Sequence, residues 1–237
     1  MIGTTEGIVL HHLKYGDQAI IVHILTRDAG LRAYMIHSPR SKRGGLRRSF
    51  FQPLQILSFV GQHKEGDKLN RIREVSGITP LHSTGSDVVK SSLAMFMGEL
   101  LFKVLKEDEA GSELFDILTE KIKEIEQDSC EMAGVPVWIL YTLSLHLGFV
   151  PNTEKQGDYF DLREGIFCHQ CLHPDHLSGI NTQIWRTALG QLQRHGSIRL
   201  SAQERRLNLD DWMYYFRVQR SGLSEIRSLE VLRDLFH

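Results

Sequence analysis

The sequence predicts an α+β multidomain chain: a small N-terminal β-barrel over residues 1–80, then an α-helical domain over residues 81–237 with an irregular insert at 151–180. Three observations carry this reading. The first 80 residues are short β-branched runs separated by turn residues, with no helical period between them. From Asp87 onward, apolar residues recur at helical spacing instead. Charge divides at the same place. Residues 1–80 hold 12 Lys or Arg against 6 Asp or Glu, and the remainder holds 16 against 23, beneath a formal net charge of −1. Opposed halves of this kind suggest two modules with different partners.

The strands are read at residues 7–10 (GIVL), 19–26 (AIIVHILT), 31–36 (LRAYMI), 54–60 (LQILSFV) and 68–78 (KLNRIREVSGI). The breaks hold Tyr15-Gly16-Asp17, Gly30, Gly44-Gly45, Gly61 and Gly66, which supply turn chemistry. Five short strands fit a small closed barrel, and an OB-fold is the barrel of that strand count and length. An SH3-like barrel or part of a sandwich remains open on periodicity alone. Helices are read at 88–105, 113–126, 182–195 and 225–236, and in the apolar run that follows Pro136. Pro136 suits a first helical turn. Ser201-x-x-Glu204 has the form of a capping box, and Asn208 is read as a second cap for 209–219.

Several function classes drop out. The N-terminal stretch has no basic segment followed by an apolar one, and the longest apolar run, 137–150, is too short and too broken to span a bilayer. Three cysteines, Cys130, Cys168 and Cys171, do not make a disulfide framework. A cytoplasmic chain with no membrane association is expected. No G-x-x-x-x-G-K-S/T, G-x-S-x-G or H-E-x-x-H occurs, so no enzyme and no cofactor are expected. The acidic groups Asp210-Asp211 and Glu107-Asp108-Glu109 read as ordinary carboxylates at helix ends, not as a nuclease centre.

The sharpest feature is 38–49, SPRSKRGGLRRS. Arg40, Lys42, Arg43, Arg47 and Arg48 fall within nine residues without an acid. Such a cluster repels itself until an anion neutralises it, and Arg offers paired donors to phosphate. A solvated loop without a partner is the bland alternative. The net positive module around it, with Lys14 and Arg32, favours a nucleic-acid backbone. Tyr15, Tyr34, Phe50, Phe51 and Phe59 are available to stack on bases, although most of them are expected to fill the barrel.

Residues 167–176, FCHQCLHPDH, offer Cys168, His169, Cys171, His173 and His176 as ligands. One C-x-x-C without a second pair is a moderate zinc signal, and Cys168, Cys171, His173 and His176 alone would need a very tight loop. No stably bound zinc is expected.

The N-terminal run GIVLHHLKYGDQAIIVHILTRDAGLRAYMIHSPRSKRGGLRRSFFQPLQILSF resembles the N-terminal domain of RecO proteins. Gly7-Ile8-Val9-Leu10, Tyr15-Gly16-Asp17, Leu25-Thr26 with Gly30, the basic stretch from Arg40 to Arg48, and Gln52-Pro53-Leu54 follow in that family's order. The resemblance continues more loosely through Leu147-Gly148-Phe149-x-Pro151 and Tyr159-Phe160-Asp161. Zinc-bearing members carry two C-x-x-C pairs. This chain keeps only Cys168 and Cys171, so 151–180 reads as a degenerate zinc-finger-like region.

The resemblance implies an OB-fold and a recombination mediator in DNA repair. Such a protein binds single- and double-stranded DNA, anneals complementary strands, and works with a RecR-type partner to load a recombinase onto DNA coated with single-strand-binding protein (SSB). It also makes the acidic, apolar C-terminal tail of SSB the leading ligand for Arg194, Arg199, Arg205, Arg206, Arg217 and Arg220 in the later helices. A second basic face for DNA, or plain balance of Glu204, Asp210 and Asp211 at the surface, are the alternatives. An OB-fold RNA-binding or ribosome-associated factor is the competing reading, and a metal-dependent nuclease the third.

Overall fold

The computed structural model describes residues 2–16, 19–37, 48–62, 69–106 and 111–236. Its residues form two compact units, Met1–Cys130 and Glu131–His237.

The first unit is built on a closed five-stranded barrel: β1 (Ile2–Tyr15), β2 (Ala19–Thr26), β3 (Gly30–His37), β4 (Ile56–Gln62) and β5 (Asn70–Ile78). Around the barrel the order is β1-β2-β3-β5-β4, with β4 paired back onto β1. This is the OB-like arrangement, and it settles the choice among barrels. β1 is much longer than the four residues read from the sequence. Its first half, Ile2 to Ile8, pairs with β4, while Gly7 to Tyr15 pairs with β2 across a bulge between Val9 and His11. One strand serving two neighbours closes the barrel, and its polar ends hide it from a hydrophobic count.

Alternation fixes what lies inside. Ile20, Val22 and Ile24 of β2 point inward with Tyr34 and Ile36 of β3, joined by Val9, Leu57, Phe59 and Ile72. Phe51 adds its ring from a 3-10 turn at Arg48–Phe51, and Tyr34 meets Phe59 edge-on at 5.3 Å.

Two helices complete this unit, α1 (Val88–Val104) and α2 (Ser112–Glu126). Asp87 caps α1 by accepting from the Val89 and Lys90 amides at 2.8 and 3.0 Å. The side chain of Lys90 is only 4% exposed. Its ammonium donates to Ser83 Oγ, to the Glu126 carbonyl at the end of α2 and to Asp128, each within 2.9 Å. A cation on the carbonyl end of a helix meets both an unpaired acceptor and the favourable end of the dipole. Burial raises the pKa of the Glu126 carboxyl, but bonds from Ser83 and Thr84 outweigh it and bring the value to about 2. Arg27 joins the barrel to α2, bridging Glu6 at 2.9 Å and Asp116 at 2.8 Å. α1 lies close against β1 because Gly98 has no side chain: a Cβ there would stand 2.5 Å from the Leu10 carbonyl oxygen.

The second unit runs through α3 (Val135–His146), a three-stranded sheet of β6 (Tyr159–Asp161), β7 (Ile166–Cys168) and β8 (His176–Leu177), then α4 (Gly179–His195), α5 (Ala202–Gln219) and α6 (Ser228–Leu235). The sheet order is β7-β6-β8, so the region read as irregular carries regular pairing. Its strands are two or three residues long, too short for any periodicity to register. An aromatic cluster holds the sheet to the helices. Phe160 meets Phe167 at 5.0 Å, Trp185 at 5.2 Å and Tyr215 at 5.8 Å, and Trp185 meets Trp212 at 4.5 Å.

The capping box at Ser201 and Glu204 is formed, and it starts a single helix, α5, that continues to Gln219. Asn208 is therefore not a cap. It is fully buried in mid-helix, because the apolar residues on both sides of it face one core. Among the described residues no helix is long and apolar enough to cross a membrane, and all three cysteines are free thiols.

Two predictions follow from this packing. Gly98→Ala should lower stability by about 1–3 kcal/mol despite the better helix propensity of alanine, because the new methyl meets backbone and not a yielding side chain. Denaturant unfolding measures this, and a stabilised variant would refute the close approach. The second concerns Asp211, which is buried and accepts from Asn181 Nδ2 at 2.9 and 3.0 Å. Burial pushes its pKa up to about 6, the Asn181 bond opposes this, and Asp210 adds to it. A folded-state pKa above the unfolded one stabilises fully below about pH 4, and that contribution is lost as pH rises through about 6. Asp211→Asn should therefore gain about 1 kcal/mol at neutral pH and flatten the stability profile between about pH 4 and 6.

Candidate functional site

On the barrel, the outer face of β1, β2 and β3 is laid out in rows across the strands. His11, His23 and Ala33 form one row, Leu13, Ile21 and Met35 the next, and Tyr15, Ala19 and His37 the last. Phe102 of α1 covers the first row, stacked on His11 at 4.9 Å and tilted against His23 at 4.4 Å. Burial lowers the pKa of both histidines, and each is lowered further by a neighbouring histidine, His12 for His11 and His11 for His23. The last two rows are less covered. Leu13 is 47% and Tyr15 56% exposed, and His37 is exposed at the strand end. Tyr34, Phe51 and Phe59 are fully buried and Phe50 packs partly buried against the barrel core, so Tyr15 is the most exposed of the five rings read from the sequence.

The basic residues divide. Lys14 is exposed near the end of β1, and Arg32 is half-buried on β3 with its guanidinium near the Leu31 carbonyl. Arg40, Lys42, Arg43 and Arg47 lie outside the described residues, and Arg48 opens the 3-10 turn. Both ends of that segment are placed, however. The chain leaves the barrel wall at His37 and rejoins its core through Phe51. Arg71, exposed on β5 opposite Met35, adds a cation that the sequence reading passed over. It sits in an alternating strand with no charge run to mark it.

In the second unit, an apolar groove is lined by Ala133 just before α3, Pro136 and Val137 of its first turn, Leu209 of α5, and Leu232 and Phe236 at the end of α6. Arg205, Arg206 and Arg233 stand on its rim. Arg205 donates to the Leu200 carbonyl at 2.6 Å, and Arg233 pairs with Asp210. Of the six arginines read as partner-binding, the structure brings Arg205 and Arg206 to this groove. Arg199 lines a separate hollow with Gln191, His195 and Ser197. Arg194 is exposed at the end of α4 and donates to the Gly190 carbonyl, Arg217 is exposed on α5, and Arg220 forms the C-cap of α5. Arg233 is the member that sequence reasoning missed, because it lies on a different helix.

Among the described residues, Asp210 and Asp211 do not assemble a metal-dependent nuclease. Asp210 is bound by Arg233, Asp211 is buried against Asn181, and Glu107, Asp108 and Glu109 lie outside the described residues. A different cluster does form, on the small sheet. Asp161 at the end of β6 meets Cys171 and His173 of the loop between β7 and β8. His173 Nε2 lies 3.1 Å from Asp161 Oδ2 and 3.4 Å from Cys171 Sγ, and Cys171 Sγ lies 3.7 Å from Asp161 Oδ2. Cys168 ends β7 beside them. Burial pushes its thiol up, and Cys171 and Asp161 add to that shift. His176 turns away, its Nδ1 donating to the His173 carbonyl at 2.6 Å.

Comparison with known proteins agrees with the barrel and extends past it. The family model described as Recombination protein O N terminal matches residues 1–81. The DNA repair protein RecO of Phocaeicola vulgatus is 30% identical over 244 residues, covering 100% of both chains. That of Bacteroides fragilis is 30% identical over 244 residues with the same coverage, and that of Flavobacterium psychrophilum 28% over 239 residues, covering 98% of each. A barrel of OB order followed, among the described residues, by six helices, with similarity along the full length, leaves one conclusion: this chain belongs to the RecO family of DNA repair proteins.

Proposed function

We propose that this protein is a recombination mediator that works by binding and not by catalysis. The barrel at residues 1–80 holds single- and double-stranded DNA, and complementary strands anneal on the protein. The helical part, residues 81–237, serves as the protein-binding platform. With a RecR-type partner it helps a recombinase displace SSB. The observation that carries this reading is the groove of the second unit. An apolar floor rimmed by Arg205, Arg206 and Arg233 suits a short peptide that is both apolar and acidic, which is the chemistry of an SSB tail. Each half of such a peptide finds its counterpart there.

On the barrel, Arg40, Lys42, Arg43, Arg47, Arg48, Lys14 and Arg32 are proposed as phosphate contacts, with Tyr15 as a stacking platform. The outer arginines, Arg194, Arg199, Arg217 and Arg220, are kept as secondary contacts for the tail or the partner protein. The cytoplasm is the proposed compartment. A strand-annealing assay on SSB-coated complementary DNA tests the whole reading, and failure to anneal with or without a RecR-type protein would overturn it.

Two variants of the full chain separate the modules. Replacing Arg40, Lys42, Arg43, Arg47 and Arg48 together by Ala should weaken DNA binding alike across sequences. If all five contact single strands, the slope of log affinity against log salt should flatten by roughly 3.5. Unchanged affinity at low salt would remove the segment from the interface. Arg206→Glu should weaken binding of an SSB tail peptide by about tenfold or more, while DNA affinity in the absence of SSB stays as it was. Peptide titration by fluorescence anisotropy measures this, and an unaltered isotherm would place the tail elsewhere.

A further inference from the structure

We infer that Asp210 is a built-in competitor for the groove: in the free protein it holds the Arg233 guanidinium, and an acidic, apolar peptide takes Arg233 from it on binding. This rests on the reading of the groove as a peptide site and concerns how that site limits its affinity and releases its ligand.

The three rim arginines differ in what they hold. Arg206 is exposed. Arg205 donates a terminal nitrogen to the Leu200 carbonyl at 2.6 Å. Arg233 already carries a carboxylate, that of Asp210. The pair stands at the margin of the groove. Asp210 follows Leu209 on α5 and Arg233 follows Leu232 on α6, and both leucines are buried and line the groove. Arg233 shares that lining, so the acid grips a cation that a ligand in the groove would also reach.

The grip is incomplete. Asp210 Oδ1 accepts from Nη2 of Arg233, and Nε of the same guanidinium is shut from solvent without a hydrogen-bond partner. Nε and Nη2 lie on one edge of the guanidinium plane, the fork that a carboxylate fills with two parallel bonds. A donor buried without a partner is costly, so a ligand carboxylate that takes both nitrogens gains a bond that Asp210 does not make. Release of Asp210 is cheap. The side chains of Arg233 and Asp210 are 34% and 41% exposed, so the freed carboxylate returns to water, and a pair this exposed contributes little by itself.

Asp211 does not take over the role. It is buried and accepts from Asn181 Nδ2 with both oxygens. Asp210 therefore has two effects on an acidic ligand. It must be displaced from Arg233, and once displaced it stays close to the ligand as a like charge. Both weaken binding. With the groove empty, the same contact keeps Arg233 paired and ties α6 to α5.

The test uses the full chain and a fluorescent SSB tail peptide. Asp210→Asn should tighten peptide binding about three- to tenfold, and Arg233→Gln should weaken it by about as much. In the Arg233→Gln background, Asp210→Asn should change affinity by about twofold or less, because the contact it relieves is already gone. A purely structural latch predicts the opposite sign: loosening α6 would weaken the peptide. A peptide with its acids replaced by amides should bind the unaltered protein and Asp210→Asn alike. In the unaltered protein, the NMR signal of the Arg233 Nε–H, assigned by its loss in Arg233→Gln, should shift as the acidic peptide saturates the groove. An unmoved signal at saturation overturns the competitor. So does neutral or weakened binding in Asp210→Asn, and if Arg206→Glu still abolishes binding, the groove remains the peptide site. Failure of the unaltered protein to bind the peptide overturns both readings.

Discussion

Barrel closure rests on one short contact. β3 and β5 meet as a parallel pair through Tyr34 with Asn70 and Met35 with Arg71, whereas every other pairing around the barrel is antiparallel and longer. Asn70 strengthens the seam by donating from its buried amide to the Ala33 carbonyl at 3.2 Å. Parallel neighbours cannot be joined by a hairpin, and β4, which follows β3 in sequence, stands beyond β5. The chain therefore needs a long connection between His37 and Ile56. That connection carries the basic run, and its far end is secured by Phe51 in the core and by the Leu54 amide on the Val9 carbonyl at 2.7 Å. The seam that completes the fold thus also dictates where the cationic segment is inserted.

What could be read from the sequence, and what could not, follows from the range of the forces involved. β2 was legible residue by residue, because a half-buried strand alternates and Ile20, Val22 and Ile24 alternate. The capping box at Ser201 was legible because both partners lie within four residues. The full length of β1 was not, since each half is defined by a different neighbour. Asn208 misled because a capping residue type sits in a helix interior, where only the tertiary fold says that it is buried. Of the groove, the sequence offered only arginines on the later helices, because Arg233 and Phe236 enter it from a helix whose position no local pattern gives. Asp161 was missed for the same reason. Its partnership with Cys171 and His173 is a product of strand pairing between Asp161 and Ile166.

Net charge also has a different meaning once residues are placed. Residues 81–237 are acidic as a whole, which would repel both a phosphate backbone and an acidic peptide. At the groove the local balance is reversed. Asp210 is neutralised by Arg233, and Asp211 lies buried with a raised pKa behind Asn181. Arg206 is left exposed beside an apolar floor, where the low local dielectric strengthens its pull on a carboxylate. The groove therefore offers local positive charge inside an otherwise acidic region, which is the condition the proposed acidic tail requires.

The small sheet divides packing and polar contacts between its two faces. Successive residues of a strand face opposite sides, and β6 uses both. Phe160 points inward to Phe167, Trp185 and Tyr215, and Asp161, the next residue, points out to Cys171 and His173. Packing and polar contacts therefore act on separate faces of the same three residues. The aromatic side is sufficient to seat the sheet on α4 and α5, aided by Gln219, which donates to the Leu162 and Arg163 carbonyls at 2.7 and 2.9 Å. The other side meets the loop from Cys168 to His176. There Asp161 Oδ2 lies 3.1 Å from His173 Nε2, while its Oδ1 accepts from the Arg163 and Glu164 amides, so a strand residue without a packing role ties the loop down by polar contacts alone.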